Sequence, residues 1–354
     1  MTIYELLPAR ANPSARTVQE RVILMQRLKA YLALSSLTLM FAVTGCHGHS
    51  MSEKYVLIAN NLKLSYWQTV EAGFEKAAAE YGVTPVINGP DTLDPNAELT
   101  AFRQAVAQKP AGILVSVADA ALFREDINAA IAAGIPVITL DSDAPTSNRL
   151  YFIGTNNIEA GRLGGKRLVE KLGGKGNIVF FTYPEQPNLA ERLEGYKDEI
   201  AGHPDIKIID VVDIKGNANN AFDQAKMYLA KTGADKIAAF VCLESDSGKA
   251  VAEVLQRANA TDRTLIAMDS DQDTLADIQN GSITATISQK PYSMGYVGLK
   301  ALAEVHQYPR TPFKANYTVD PFSPYPVFID TGTALIDKAN VDIYVTGAKA
   351  AGVH

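Results

Sequence analysis

From Tyr55 onward the chain alternates short apolar runs with longer amphipathic stretches. The runs at 55–60, 112–116 and 136–140 are apolar with little alternation, as expected of strands buried on both faces of a parallel sheet. Between them, 66–81, 96–108 and 122–133 repeat apolar residues at helical spacing, and Gly82 closes the first of these helices. Strands at 84–88 and 150–153 complete a first half. After Gly154-Thr-Asn-Asn157 the rhythm restarts, with helices at 158–172, 189–201, 221–231, 248–257, 272–280 and 292–305 and strands at 177–181, 206–212, 237–241, 265–268 and 283–288. A tail rich in Pro and Tyr carries one more strand near 327–330. Two successive βα halves predict an α/β protein of two doubly wound parallel-sheet lobes. Residues 53–155 with about 290–317 are expected in the N-terminal lobe, and 156–289 with about 318–345 in the C-terminal lobe. The crossovers are expected near 155–157, near 288–290 and in the tail before Val327.

The stretch ahead of this pattern is different in kind. Residues 1–26 are polar and irregular, whereas Arg27-Leu-Lys29 precedes an apolar run at 30–43 that ends in Thr44-Gly45-Cys46. A basic segment, a short apolar core and small residues describe an export signal, and the run is short for a membrane span. Val43-Thr-Gly-Cys46 resembles the bacterial lipobox, whose cysteine is lipidated and becomes the mature N-terminus. Cys46 is therefore the expected lipidation site and membrane anchor, with 1–52 forming leader and tether. Met25 would start a signal of ordinary length, which makes 1–24 an expected extension. Cys242, the other cysteine, is left without a disulfide partner and is expected to be a buried, inert thiol.

Composition narrows the partners. With 354 residues, 47% hydrophobic and 20% charged, the chain has room for two lobes. A net charge of −6 and a pI near 5.5 provide no basic face for a phosphate backbone, which argues against nucleic acid.

The candidate chemistry lies at the strand ends, where open α/β sheets place their ligands. In Gly134-Ile-Pro-Val-Ile-Thr-Leu-Asp-Ser-Asp143 a glycine stops a helix, a proline opens a strand and two acids follow. On an extended chain, Asp141 and Asp143 would point to one side. The other strands end in Asn60, Ser116, Glu244, Asp269 with Asp271, and Gln289. These acceptors, with Tyr66 and Trp67 just behind the first strand, suit a neutral, hydroxyl-rich ligand between two lobes. Asn60, Ser116 and Asp271 serve equally well as helix caps.

Other chemistries fail on spacing. Gly161-Arg-Leu-Gly-Gly-Lys166 misses the phosphate-loop pattern by one residue and is expected to be a helix packed closely on the sheet. No glycine fingerprint follows the first strand. Asp269-Ser-Asp-Gln-Asp273 lacks the glycine and the closing Glu of a calcium loop, and no Gly-x-Ser-x-Gly elbow occurs. Catalytic residues, metal and cofactors are not expected; paired acids acting on a glycoside remain the enzyme alternative.

At these residues the chain resembles the ribose-binding-protein-like group of periplasmic sugar-binding proteins, the substrate-binding components of ABC importers. The resemblance spans about 53–339. It rests on Ala133-Gly-Ile-Pro-Val-Ile-Thr-Leu-Asp141, Gly154-Thr-Asn-Asn157, Glu191-Arg-Leu-Glu-Gly-Tyr196, Met268-Asp269 and Ala285-Thr-Ile-Ser-Gln-Lys-Pro291. It implies that Asp141, Asp269 and Gln289 hydrogen-bond the ligand and that Tyr66 and Trp67 stack on it. Where ribose binders carry arginines this chain has Ser142 and Ala190, and where they carry asparagines it has Leu243 and Leu64 or Ser65. Asn188, Arg192, Lys63, Asp119, Asp143 and Glu244 are candidates for the replaced contacts. The resemblance further implies a monomer that captures a monosaccharide or polyol, closes by hinge motion and docks on a permease, with no bond chemistry. A sugar or autoinducer-2-type receptor serving chemotaxis or a sensor kinase is the alternative.

Overall fold

The computed structural model describes residues 48–308, 317 and 319–350. The apolar run at 30–43, Met25 and Cys46 lie outside the described residues. In chain order the first half is β1 (Lys54–Ile58), α1 (Ser65–Tyr81), β2 (Thr84–Asn88), α2 (Pro95–Ala107), β3 (Gly112–Val115), α3 (Ala120–Ala132), β4 (Val137–Leu140) and β5 (Phe152–Gly154). The second is α4 (Asn157–Leu172), β6 (Lys175–Thr182), α5 (Pro187–Ile200), β7 (Asp205–Asp213), α6 (Ala218–Leu229), β8 (Ile237–Cys242), α7 (Ser247–Arg257), β9 (Thr264–Met268), α8 (Gln272–Asn280) and β10 (Ala285–Ser288). The chain ends in α9 (Pro291–Gln307), β11 (Phe328–Asp330), β12 (Ala334–Asp337) and α10 (Val341–Ala350).

Two six-stranded sheets result, in the orders β11-β5-β4-β3-β1-β2 and β12-β10-β9-β8-β6-β7. Every pairing is parallel except that of β12 with β10. The expected α/β class with two parallel-sheet lobes is thus observed. Alternation along the strands divides the second lobe's core: Val179, Phe181, Phe240 and Cys242 pack on one face, and Ile178, Phe180, Ala239 and Val241 on the other.

Helices start earlier than apolar periodicity alone suggests, because caps set their first turns. Asp94 accepts from the backbone N–H of Asn96 and Ala97, and Asp119 from those of Ala121 and Leu122. Gly82 ends α1 in the left-handed region, at φ +65°.

The tail departs from expectation. Residues of about 318–345 are expected in the second lobe, yet β11 pairs with β5 in the first sheet, and only the chain from β12 onward joins the second. The third crossover is therefore Thr331-Gly-Thr333, after Val327 rather than before it. Strand β12 and helix α10 were not anticipated. β12 is a four-residue edge strand, too short for a periodic signal.

Each lobe contains one very close helix pair. A Cβ on Gly73 of α1 would lie 2.0 Å from the Tyr292 carbonyl oxygen of α9, and one on Gly295 2.0 Å from that of Val70. In the second lobe a Cβ on Gly161 of α4 would lie 2.1 Å from the Arg192 carbonyl oxygen of α5, and one on Gly195 2.1 Å from that of Ile158. The glycines of 161–166 therefore admit a helix, not the sheet.

Candidate functional site

Asp141 and Asp269 follow β4 and β9, and both adopt the left-handed region, at φ +59° and +70°. In each, the backbone N–H still bonds the neighbouring strand, Asp141 to the Ile153 carbonyl (3.1 Å) and Asp269 to that of Ile287 (2.8 Å). Holding a non-glycine residue there costs on the order of 1–3 kcal/mol, and such strain clusters at functional sites. The turn directs both carboxylates into one cleft between the lobes, with a volume of about 450 Å³ including its mouth.

The first lobe holds Asp141 with hydroxyls. Tyr66 donates to Oδ1 (2.8 Å) and Ser116 to Oδ2 (3.2 Å). From the second lobe, Asn188 reaches across to the same Oδ2 at 3.4 Å. Trp67 lies edge-on to Tyr66 with ring centroids 5.4 Å apart, and Trp67 lines the cleft.

Asp269 takes its bonds from Ser245 Oγ (2.7 Å) and Gln289 Nε2 (2.8 Å). Gln289 Oε1 in turn accepts from Thr155 Oγ1 (2.9 Å) and Arg192 Nη2 (2.8 Å). Arg192 completes its fork on Asn157 Oδ1 (3.0 Å) and the Leu243 carbonyl (2.9 Å). Thr155 and Gln289 lie on the first two crossovers, so this network links the acid of the second lobe to the connections between lobes. Burial pushes the carboxyls of Asp141 and Asp269 up, and the Arg192 guanidinium opposes that rise in both. Burial also pushes the Tyr66 hydroxyl well up, aided by both acids, so it stays a donor.

Of the residues expected at the site, Asn60, Tyr66, Trp67, Asp141, Asn188, Arg192, Glu244, Asp269 and Gln289 line this cleft. Glu244 does so with its oxygens already engaged: Oε1 accepts from Ser247 N–H (3.0 Å) and Oγ, and Oε2 from Asp246 N–H (2.6 Å) and Tyr183 OH (3.4 Å). These fill the roughly four acceptor positions of a carboxylate. Burial, opposed by these bonds, raises Glu244 to about 7.

Three expected residues belong elsewhere. Asp143 forms a two-point ion pair with buried Arg149 and accepts from Thr139 Oγ1 (2.6 Å). It does not share a side with Asp141, because the left-handed turn at Asp141 breaks the extended geometry that the two-residue spacing assumes. Asp119 is the cap of α3. Lys63 is largely exposed and pairs with Asp91 at 3.0 Å.

Asn61, Leu64, Leu93, Tyr183, Gln186, Leu189 and Ser245 also line the cleft without having been singled out for it. Tyr183 and Gln186 follow β6, whose carboxyl end carried the same positional signal as its neighbours. Cys242 is a buried free thiol, pushed up by burial.

Two lobes with parallel strands pointing their carboxyl ends at one polar cleft define a bilobal binding protein of the type I periplasmic fold. The chain belongs to the periplasmic binding protein domain family, whose model matches residues 55–308. A relative is the xylose/arabinose-binding protein XylF of Sulfolobus acidocaldarius, 24% identical over 281 residues, or 75% of this chain and 66% of that protein. The chain thus spans slightly less than two thirds of that relative. Among solved structures, a sugar ABC transporter sugar-binding protein from Bacillus halodurans is 32% identical, with a TM-score of 0.70 over 82% of this chain and 99% of the other. A chain of a XylFII-LytSN complex is 29% identical, with a TM-score of 0.72 over 81% and 98%.

Proposed function

We propose that this protein is the substrate-binding component of an ABC importer, and that it captures a neutral monosaccharide or polyol between its lobes. The observation that carries this reading is the pair of buried carboxylates, Asp141 and Asp269, facing one cleft from opposite lobes beside Tyr66 and Trp67. Carboxylates accept from hydroxyl groups, and the aromatic faces suit the C–H surface of a sugar. Sugar is also what the Sulfolobus and Bacillus relatives are named for binding. No bond is made or broken: binding draws the lobes together through the crossovers, and the closed form docks on a permease. The protein is exported and tethered through lipid on Cys46.

A thermal-shift and calorimetric screen against aldoses, ketoses and polyols tests the reading. A ligand at 100 times Kd should stabilise the fold by about 2.7 kcal/mol, and X-ray scattering should record a smaller radius of gyration. No shift with any neutral sugar or polyol would overturn it. Mass spectrometry of the mature protein should find a diacylglyceryl-modified Cys46 at the N-terminus; an intact Met1 terminus would refute the anchor. The XylFII-LytSN likeness favours a second reading, presentation of the same ligand to a sensor kinase. Co-purification with a sensor domain rather than a permease would support it.

A further inference from the structure

The chain is fastened to the first lobe almost immediately after Cys46. His49 Nδ1 bonds Glu53 Oε2 at 2.8 Å, and its ring stands edge-on to Tyr81 with centroids 5.1 Å apart. Glu53 Oε1 accepts from the Ser50 N–H (3.0 Å), the Ser50 carbonyl from the Glu53 N–H (2.8 Å), and Tyr55 donates to Glu53 Oε2 (3.0 Å). Thr84 Oγ1, at the start of β2, donates to the Met51 carbonyl (2.8 Å). Residues 49–53 are thus a turn bound to the lobe and not a free tether. Only three chain steps separate Cys46 from His49, and three residues span at most about 11 Å when fully extended. A lipid on Cys46 would hold this turn close to one Debye length from the headgroups, about 8 Å at physiological ionic strength.

The surface around the turn suits that neighbour. It is the end of the first lobe where β1, β2 and β3 begin, opposite the cleft at their carboxyl ends. A hollow of about 810 Å³ including its mouth lies there, and its lining includes Ser52, Glu53, Lys54, Lys109 and His306. Lys54 and Lys109 are exposed, and neither has an ion pair among the described residues. The one acid in the lining, Glu53, is occupied by His49, Ser50 and Tyr55. Met51, next to Ser52, is 66% exposed, and Tyr308, two residues past His306, is 69% exposed. Unpaired lysines beside an exposed thioether and a phenol suit anionic headgroups and the interfacial layer beneath them. The chain as a whole carries a net charge of −6, so this basic hollow stands apart from the rest of the surface.

We propose that this end of the first lobe is a membrane-docking surface: with Cys46 lipidated, Lys54 and Lys109 take anionic phospholipid headgroups at the hollow while Met51 enters the interface. This rests on the reading of Cys46 as the lipid anchor. The strands of the first sheet run from the docked end toward the cleft, so docking leaves the cleft at the far end of the lobe, open to solute.

Spin labels on the mature, lipidated protein in vesicles of phosphatidylcholine with phosphatidylglycerol provide the test. Lipid then blocks Cys46 and Cys242 is buried, so Met51→Cys and Ile343→Cys each carry a single label. Ile343, on α10 beyond the second sheet, is 72% exposed and serves as the control. The label at 51 should collide more with membrane-dissolved oxygen than with a water-soluble nickel chelate, and the label at 343 should do the reverse. In phosphatidylcholine alone the preference at 51 should shrink. Lys54→Gln combined with Lys109→Gln should lower the docked-to-free ratio roughly thirtyfold, from about 1 kcal/mol per basic residue near an anionic surface. The double variant should melt like wild type, since both lysines are exposed. Mass spectrometry that finds no lipid on Cys46 would remove the anchor reading and this inference with it. With Cys46 lipidated, a label at 51 as open to the chelate as that at 343 would overturn the inference alone. So would dipolar broadening at 51 in both kinds of vesicle, which would assign the face to a second copy of the chain.

Discussion

The two lobes are built to one plan and furnished differently. Each has a mainly parallel sheet, an acid in the left-handed region after a central strand, and two helices crossing at a pair of glycines. In the first lobe the acid is held by the hydroxyls of Tyr66 and Ser116 beside an indole; in the second, by Ser245 and the Gln289 amide, backed by a guanidinium. The first lobe thus presents apolar faces to the cleft, while the polar network of the second runs into the crossovers. On the proposed function, the shared plan would place the ligand and the unlike furnishing would give each lobe its own part in holding it.

The last crossover follows from the same geometry. Strands of both sheets run toward the cleft, so β11, arriving there, lies parallel to its neighbour, and β12, leaving it, lies antiparallel. Three residues suffice to pass between lobes at that point.

Substituting the acids should produce the largest effect. Hydrogen bonds to charged groups are worth about 1.5–3 kcal/mol, so Asp141→Ala and Asp269→Ala should each lower affinity about tenfold to a hundredfold or more by calorimetry. Wild-type affinity in only one of them would show that the lobes do not grip the ligand symmetrically. The glycine crossings come next. Gly73→Ala and Gly161→Ala force helices apart and should each cost roughly 1–3 kcal/mol in denaturant unfolding. Gly161→Ala should also weaken ligand binding, because the displaced backbone is that of Arg192.

Smaller effects separate stacking from hydrogen bonding. Trp67→Ala should reduce affinity roughly threefold to tenfold, with similar losses for epimers that differ at one hydroxyl. An epimer-specific loss would move discrimination from the acids to the indole.

The smallest expected change concerns pH. Glu98, fully buried in the first lobe, accepts from the Ala118 N–H (3.2 Å), and burial pushes its carboxyl well up. The native chain then holds a proton that the unfolded chain has lost above 4.5, so stability falls as pH rises through that window. Glu98→Gln should flatten the dependence of melting temperature on pH above 4.5. Glu244→Gln should flatten it between 4.5 and about 7. A wild-type profile in either variant would show that its carboxyl does not hold the proton.

The alternating pattern alone was enough to determine the α/β class, the two halves and most element positions, because a strand buried on both faces and a helix buried on one leave different periodicities. It also placed Asp141, Asp269 and Gln289 at strand ends, and nine expected residues reached one cleft. Three others did not, since position at a strand end says nothing of what the following turn does. Asp143 was claimed by Arg149, Asp119 by its own helix and Lys63 by solvent and Asp91. Asn61, Tyr183, Gln186 and Ser245 entered the cleft from loops without periodicity, where only the packed fold sets direction. The exchange of β11 and β12 between sheets was likewise decided in three dimensions, because a three- or four-residue strand has too little pattern to choose its partner and takes the edge that the crossover leaves within reach.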